Sequence, residues 1–432
     1  MASTVHDRRQ AALDRLTEKG LRPAPKRTAG SGAGRRRRPL RRTSRASSGS
    51  SSQTRVRSRA ERLGPPPGTW YGIIAVVSLL VMLGLVMVLS ASAVTEVNQG
   101  NSAYRVFGRQ AMWAGFGVVG LMVMAKIPYR IWRSPFVLWL LAVGGVVAMA
   151  APFLPVVGST VNGARAWIRV GGFSIQPSEF LKLVVILLTA ELLTRRRDLL
   201  NHRRATLAPL ATIAGVGAGL CLVQKDLGSA IVLGSIVFAI AWIAGVPFTP
   251  LAAMGAGATA ICLLFVVSSQ SRIDRFTAFL DVDGNKDHLA WQTHQGLISM
   301  ASGGLAGSGI GGSKSKLGYL PYAHSDFIFA IIADELGMLG VATVIGGFIL
   351  LVFLAIQTAL AAADPFGMLV AGGVASWFGV QSLVNLGGVT GLIPVTGLTL
   401  PFFSAGGSSL FVSMVAVGLL LSVARRVRTV GP

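Results

Sequence analysis

The feature that most constrains the fold of this chain is a succession of long apolar segments. An α-helix of about 20 apolar residues spans the hydrocarbon core of a bilayer. Inside lipid a backbone polar group has no water to bind, so such a segment folds as a helix. The predicted fold class is therefore an all-α polytopic membrane protein. Its ten predicted transmembrane helices lie near 71–93, 109–126, 135–154, 177–193, 206–223, 227–245, 249–268, 326–356, 366–387 and 402–424.

The composition agrees with lipid as the solvent. Charged residues make up 13% of the chain and hydrophobic residues 52%, whereas soluble proteins carry about 25% charged residues. The 53 glycines are typical of helices that approach one another closely in membranes. Cys221 and Cys262 both lie in apolar segments, so we interpret them as packed thiols rather than a disulfide or a metal pair.

Residues 1–68 differ from the rest of the chain, with 18 Lys and Arg against 4 Asp and Glu. They are rich in Arg, Ser, Gly and Pro, and we predict that they are disordered because they cannot bury enough apolar area. We expect a cytoplasmic arm that contacts anionic lipid or fixes topology, rather than a nucleic-acid-binding segment or a cleavable signal peptide. The membrane domain then covers 69–428.

Basic residues also predict the orientation of the helices, because loops rich in Lys and Arg stay in the cytoplasm. Both termini are predicted to be cytoplasmic, and the segments 94–108, 155–176 and 268–325 to lie outside. The supporting cations are Lys126, Arg130, Arg133, the run 195–197, Arg203, Arg204, Arg425, Arg426 and Arg428.

The outer segment 268–325 is the longest of the three, and loops of this length are usually functional or disordered. Its Gly-rich alternation of apolar and polar residues predicts a segment folded against the membrane surface. A carboxylate beside several cations suits acid–base chemistry on an anionic substrate, although a solvated polar loop has the same composition. The residues concerned are Asp281, Asp283, Asp287, Arg272, Arg275, Lys314 and Lys316.

Several charged residues lie within or beside the apolar segments, where they cost several kcal/mol on conservative scales. Glu179 and Lys182 are three residues apart, so they can pair on one helix face. Structural ion pairs between helices and contacts with a substrate both remain open as interpretations. The other members of this set are Glu191, Lys225, Asp226, Asp326, Asp334 and Glu335. No nucleotide-binding or zinc-hydrolase motif occurs, which disfavours ATP-driven transport and zinc hydrolysis.

Three motifs, in order along the chain, resemble the signatures of the SEDS family of cell-wall glycan polymerases. The first includes Asn-Gly-Ala-Arg-Ala-Trp-Ile, the second Leu-Pro-Tyr-Ala-His-Ser-Asp-Phe, and the third Leu-Ile-Pro-Val-Thr-Gly-Leu-Thr-Leu-Pro. The resemblance covers about residues 72–426 and leaves out the basic arm. The matching segments are 87–92, 162–168, 176–182, 320–330, 334–337, 391–404 and 406–409.

The resemblance implies a ten-helix peptidoglycan glycosyltransferase that polymerises lipid II into β-1,4 glycan strands with inversion. It implies that the protein lies in the bacterial cytoplasmic membrane, in contact with membrane lipids. It also implies a class B penicillin-binding protein as the transpeptidase partner, and no binding of nucleic acid. Segments 87–92 and 391–401 resemble the cell-division branch more than the cell-elongation branch, so septal location and other divisome partners are expected. A lipid II flippase, an elongation-type polymerase and a noncatalytic division scaffold remain as alternatives.

Members of the family carry an essential aspartate in the long outer loop, shortly before an element that matches 290–292 here. A gap-free alignment places Asn285 at that position, and an amide cannot act as a general base. The resemblance therefore implies Asp287, or else Asp283, as the catalytic base. Lys225 also departs from the family pattern, which has proline at this position.

The remaining site residues carried over by the resemblance are expected to bind substrate or to hold the geometry of the site. No cofactor is certain, although a divalent cation, Mg²⁺ or Mn²⁺, could bridge the pyrophosphate and a carboxylate. The substrate-binding candidates are Arg165, Lys182, Asp226, Lys314, His324, Asp326 and Glu335.

Overall fold

The computed structural model describes residues 67–426, except 156, 162, 172, 201, 283, 286–289 and 322. The predicted arm of residues 1–68 lies outside the described residues apart from its last two. The described α-helices are α1 Gly68–Asn98, α2 Arg105–Lys126, α3 Pro135–Ala150, α4 Pro177–Arg195, α5 Arg203–Val223, α6 Leu227–Ile243, α7 Phe248–Val267, α8 Gln270–Leu280, α9 Trp291–Gly303, α10 Ile328–Leu360, α11 Pro365–Val389 and α12 Gly407–Ala424.

Each of the ten predicted spans coincides with one of these helices, and α8 and α9 are additional. Eight of the described helices are long and apolar enough to cross a membrane. The exceptions among the predicted spans are α4, which carries Glu179, Lys182 and Glu191, and α6, which has 17 residues. The all-α membrane architecture is confirmed, and the number of ten spans stays a prediction.

Local sequence explains where several helices begin. The Asp226 side chain accepts a hydrogen bond from the Ser229 N–H at 2.9 Å and so caps α6. Asp364 caps α11 in the same way through the Gly367 N–H, at 2.9 Å. Helices α3, α4 and α11 each have proline in the first turn, where its missing N–H costs nothing.

The helices differ in how much of their surface is covered by protein. Helix α12 is buried over most of its length and packs against α2, whereas α7 is almost bare along its apolar length. Small residues allow close packing: at Gly418 the backbone of Leu121 leaves no room for a side chain. The core therefore centres on α12 and α11, and α7 presents its surface to lipid.

The segment 155–176, which the charge pattern places outside, forms a three-stranded antiparallel sheet that the sequence did not predict. Its strands are β1 Gly158–Val161, β2 Ala164–Val170 and β3 Phe173–Ile175, in the order β1-β2-β3. The Arg165 N–H donates to the Gln224 carbonyl oxygen at 3.1 Å. This bond attaches the central strand to the turn between α5 and α6.

The described residues of the long segment 268–325, which the charge pattern places outside, contain α8, α9 and a short 3-10 helix at Ser315–Leu317. The segment lies against α10, because Gly303 and Gly307 abut backbone atoms at Ala333 and Glu335 with no space for a side chain. Helix α10 is interrupted at Gly337, whose φ of 60° lies in the left-handed region that glycine tolerates best.

Candidate active site

A cavity of about 1020 Å³ lies at the end of the helix bundle that the charge pattern assigns to the outer face. The starts of α2, α4 and α6 reach it, as does the end of α7. Cys262, Leu263 and Val266 of α7 line one side, so part of the wall is apolar and belongs to the helix most exposed to lipid. The cavity thus combines a polar interior with an apolar wall.

Four cations line the cavity: Arg109, Lys225, Arg272 and Arg275. The guanidinium of Arg272 donates to the Phe265 carbonyl oxygen and lies 3.6 Å from the Phe265 ring centroid. The other three side chains form no hydrogen bond or ion pair with any described residue. Cations without partners at the wall of a cavity favour an anionic ligand.

The carboxylate of Glu179, which lines the cavity, pairs with a lysine on the side away from the cavity. Lys182 Nζ lies 2.8 Å from Glu179 Oε1 and 2.8 Å from Gln381 Oε1, and the lysine is fully buried. The ammonium also lies 5.2 Å from the Trp377 ring centroid. Lys182 therefore supports the wall through Glu179 and does not itself reach the cavity.

Two further carboxylates line the cavity. Asp226 accepts hydrogen bonds from Gln176 Nε2 at 3.0 Å and from the Ser229 N–H at 2.9 Å, so its position is fixed by the start of α6. Asp326 forms no ion pair with a described residue, and burial raises its pKa to about 7, against a smaller opposing effect of a hydrogen bond from Ser325. Near neutral pH Asp326 is therefore partly protonated.

His324 also lines the cavity, and its carbonyl oxygen accepts a hydrogen bond from the Ala405 N–H at 2.9 Å. Burial lowers the pKa of the imidazole below its ordinary value, although Glu96 acts in the opposite sense. The ring is therefore neutral at pH 7 and can donate or accept a single hydrogen bond to a ligand.

The structure brings Asp226, His324 and Asp326 together at the cavity and places the other predicted binding residues elsewhere. Arg165 donates to the Pro152 carbonyl oxygen at 2.9 Å, on the far side of β2. Lys314 is exposed outside the cavity lining. Glu335 is buried, where it accepts from Lys316 Nζ at 2.8 Å.

The two predicted catalytic residues, Asp287 and Asp283, lie outside the described residues. Asn285 is described, and its carbonyl oxygen accepts a hydrogen bond from the Ala290 N–H at 3.0 Å. Ala290 lines the cavity, as do Ala278 and Phe279 on the other side of this stretch. Cavity residues thus lie on both sides of this stretch, although the described residues 280–282, 284 and 285 within it do not line the cavity.

Three cavity residues were missed as candidates: Arg109, Gln176 and Gln292. Each could have been selected from a feature of the sequence. Arg109 is a cation at the start of an apolar segment, and the two glutamines belong to elements that the resemblance already used. Gln292 Nε2 donates to the Pro321 carbonyl oxygen at 3.1 Å, which ties α9 to the second motif.

No three Asp, Glu, His or Cys side chains converge on a possible metal position within the part of the chain that the structure describes. Glu179 and Asp226, the two cavity carboxylates closest to the first motif, are already engaged by Lys182, Gln176 and Ser229. The described residues therefore do not form a dedicated metal centre.

Comparison with known proteins gives relatives for most of the chain. A protein named "Probable peptidoglycan glycosyltransferase FtsW" from Trichlorobacter lovleyi is 37% identical over 351 residues, covering 81% of this chain and 92% of the relative. Stage V sporulation protein E of Bacillus subtilis is 37% identical over 355 residues, covering 82% and 96%.

Solved structures agree with these relatives. A chain from a structure described as "Structural coordination of polymerization and crosslinking by a peptidoglycan synthase complex" matches with a TM-score of 0.66 and 29% identity, covering 82% of this chain and 97% of that chain. The rod shape determining protein RodA of Thermus thermophilus matches with a TM-score of 0.62 and 28% identity, covering 83% and 97%.

The family model described as "Cell cycle protein", which represents FtsW, RodA and SpoVE, matches residues 71–429. This range contains all three motifs and every residue that lines the cavity. The protein is therefore a member of the FtsW/RodA/SpoVE family of SEDS membrane proteins.

Proposed function

We propose that this protein is a peptidoglycan glycosyltransferase that polymerises lipid II on the outer face of the bacterial cytoplasmic membrane. The observation that carries the proposal is the cavity itself. Its cations Arg109, Lys225 and Arg275, which have no partner among the described residues, suit a diphosphate, and its α7 wall suits a polyprenyl chain. Relatives named peptidoglycan glycosyltransferase support the same activity.

The proposed reaction is a single inverting displacement. The 4-hydroxyl oxygen of the acceptor sugar attacks C1 of the donor, and the bond from C1 to the diphosphate oxygen breaks with its electron pair on that oxygen. The hydroxyl proton passes to a carboxylate, Asp287 or else Asp283, as general base. Arg109 and Arg275 stabilise the charge that develops on the departing polyprenyl diphosphate.

We assign the protein to septal synthesis during cell division rather than to elongation. Relatives named FtsW and a sporulation protein support this assignment, as does the similarity of segments 87–92 and 391–401 to the division branch. The proposed partners are a class B penicillin-binding protein, which supplies crosslinking, and other divisome proteins. The synthase complex among the structural relatives, which couples polymerization and crosslinking, supports such a partner.

The test is polymerisation of fluorescent lipid II by the purified protein with its penicillin-binding partner, read as glycan ladders on gels. Ladders that require this protein and resist inhibition of the transpeptidase support the proposal. Movement of labelled lipid II across vesicle membranes without any polymer would overturn it in favour of a flippase.

No step of this scheme runs through a metal, since the described residues form no dedicated centre. We nevertheless propose that a divalent cation, Mg²⁺ or Mn²⁺, would be held by a cavity carboxylate and would offset part of the charge of the substrate diphosphate. Titrating each cation against EDTA in the same assay tests that requirement. A rate that EDTA leaves unchanged contradicts it.

A further inference from the structure

Lys225 has an unusual backbone conformation at the cavity wall. Its φ is 64°, and Phe402 is the only other described residue besides glycine with a positive φ. An L-residue with a side chain is strained in this left-handed region, where Cβ crowds the following carbonyl. Such outliers cluster at functional sites, where the surroundings hold them in place.

The turn that contains Lys225 explains how this conformation is held, but not why lysine occupies it. Helix α5 ends at Val223, and the Lys225 N–H donates to the Leu222 carbonyl oxygen at 2.9 Å. The Asp226 N–H donates to the Cys221 carbonyl oxygen at 2.9 Å. Glycine is the usual residue in such a helix-ending turn, so glycine would fit this backbone conformation with less strain than lysine.

The side chain of Lys225 is exposed toward the cavity and has no described partner. The neighbouring carboxylate of Asp226 does not neutralise it, because Asp226 is engaged by Gln176 and by the start of α6. Arg109 and Arg275, which also line the cavity, likewise lack described partners. Lys225 therefore adds charge to a wall that is already cationic, which is unfavourable without an anionic ligand.

We propose that Lys225 is a substrate-binding residue that contacts the diphosphate of the lipid-linked substrate. This inference rests on the proposed function, because it names the part of that substrate which the residue recognises. A lysine ammonium binds phosphate as a compact point charge at the end of a flexible stem. Strain in the backbone is tolerated at this position because the charge is needed there.

The diphosphate is negatively charged both before and during the reaction. Loss of Lys225 therefore weakens binding of the ground state and of the transition state together, which raises KM and leaves kcat nearly unchanged. A purely structural role predicts a different result: Lys225→Gly would relieve the strain, raise the melting temperature and preserve KM.

The experiment compares the wild-type protein with Lys225→Gln, Lys225→Gly and Lys225→Arg in the lipid II polymerisation assay with the penicillin-binding partner. We expect a KM about tenfold higher for the Gln and Gly variants, with kcat within about twofold of wild type. Arg should restore most of the affinity, and the Gly variant should melt at or above the wild-type temperature. The matched control is Arg169→Gln, an exposed cation of β2 outside the cavity lining.

A second measurement separates binding from catalysis. Undecaprenyl diphosphate is used as a competitive inhibitor, and its inhibition constant should rise in the Gln variant by the same factor as KM. Uncharged undecaprenol should inhibit both proteins equally. A Gln variant with wild-type KM and inhibition constant overturns the assignment of Lys225. If the wild-type protein makes no polymer at all, the proposed function fails instead, and the two failures are distinct.

Discussion

Lys316 Nζ lies 2.8 Å from Glu335 Oε1, and both side chains are buried. The Ser90 hydroxyl donates to Glu335 Oε2 at 2.6 Å, so the pair joins α1, the long outer segment and α10. Next to it, Asp334 accepts hydrogen bonds from four serine hydroxyls of the same outer segment, those of Ser299, Ser302, Ser308 and Ser313. Two adjacent buried carboxylates of α10 thus attach this segment to the bundle.

Breaking the buried pair should destabilise the protein strongly. Lys316→Met leaves the Glu335 carboxylate buried without its cation, and we expect a loss of about 3–5 kcal/mol. The double variant Lys316→Met with Glu335→Met should lose less than the single variant, because no lone charge remains. Thermal unfolding in detergent measures both. Lys314→Met, which changes an exposed neighbour, is the stability control, and equal losses in the single variant and this control contradict the prediction.

Removing Asp287 should lower the polymerisation rate more than removing Asp283. Asp287→Ala should lower the rate of lipid II polymerisation by about 10²–10⁴, the usual contribution of a general base. Asp283→Ala should have the smaller effect. Asp274→Ala is the matched control, because it removes a carboxylate of α8 that does not line the cavity. Full activity in both single variants and in the double variant contradicts the assignment of either residue.

Asp326 should make stability depend on pH. Its pKa of about 7 in the folded protein is above the ordinary value of 3.8, so the folded state binds more protons than the unfolded state between these values. The contribution of Asp326 to stability is therefore greatest at and below about pH 4 and is lost as the pH rises toward about 7. The difference in melting temperature between Asp326→Asn and wild type should be smallest near pH 4 and should grow in favour of the variant up to about pH 8. Melting temperatures that change with pH by the same amount in the variant and in wild type would contradict the prediction.

Gly303 should resist any added side chain. A methyl group there would meet the Ala333 carbonyl oxygen, which belongs to the backbone of α10 and cannot turn aside. We expect Gly303→Ala to cost about 1–3 kcal/mol through overpacking. Gly144→Ala is the matched control, because a Cβ at Gly144 meets no atom within 4 Å and alanine favours the helix. Unfolding temperatures that shift equally in the two variants contradict this account.

The sequence predicts features set by neighbouring residues better than features set by contacts between residues far apart in the chain. The apolar segments predicted the helices well, since length and hydropathy alone decide whether a helix suits lipid. The family resemblance also selected Asp226, His324 and Asp326, which line the cavity in the structure. The break of α10 at Gly337 was not predicted, since it depends on the close approach of Gly307.

Arg165 shows why other positions could not be predicted. The sequence gave no reason to expect a strand there, so side-chain alternation could not be applied. In the structure Ala164 and Ala166 line the cavity, and Arg165 between them directs its guanidinium to the Pro152 carbonyl oxygen. Similarly, which of two nearby lysines is buried depends on long-range contacts: Lys316 reaches Glu335 on α10, while Lys314 stays exposed.

Most of the surface of α7 is not covered by other parts of the protein, and this has a consequence for kinetics. One helix forms a wall of the cavity and has most of its apolar surface uncovered by protein, so the proposed polyprenyl substrate would reach the site by lateral diffusion within the membrane. The concentration that governs the rate is then the mole fraction of substrate among the surrounding lipids. Diluting lipid II with inert phospholipid at constant bulk concentration should slow the reaction, whereas diluting the whole suspension with buffer should leave the turnover per enzyme unchanged.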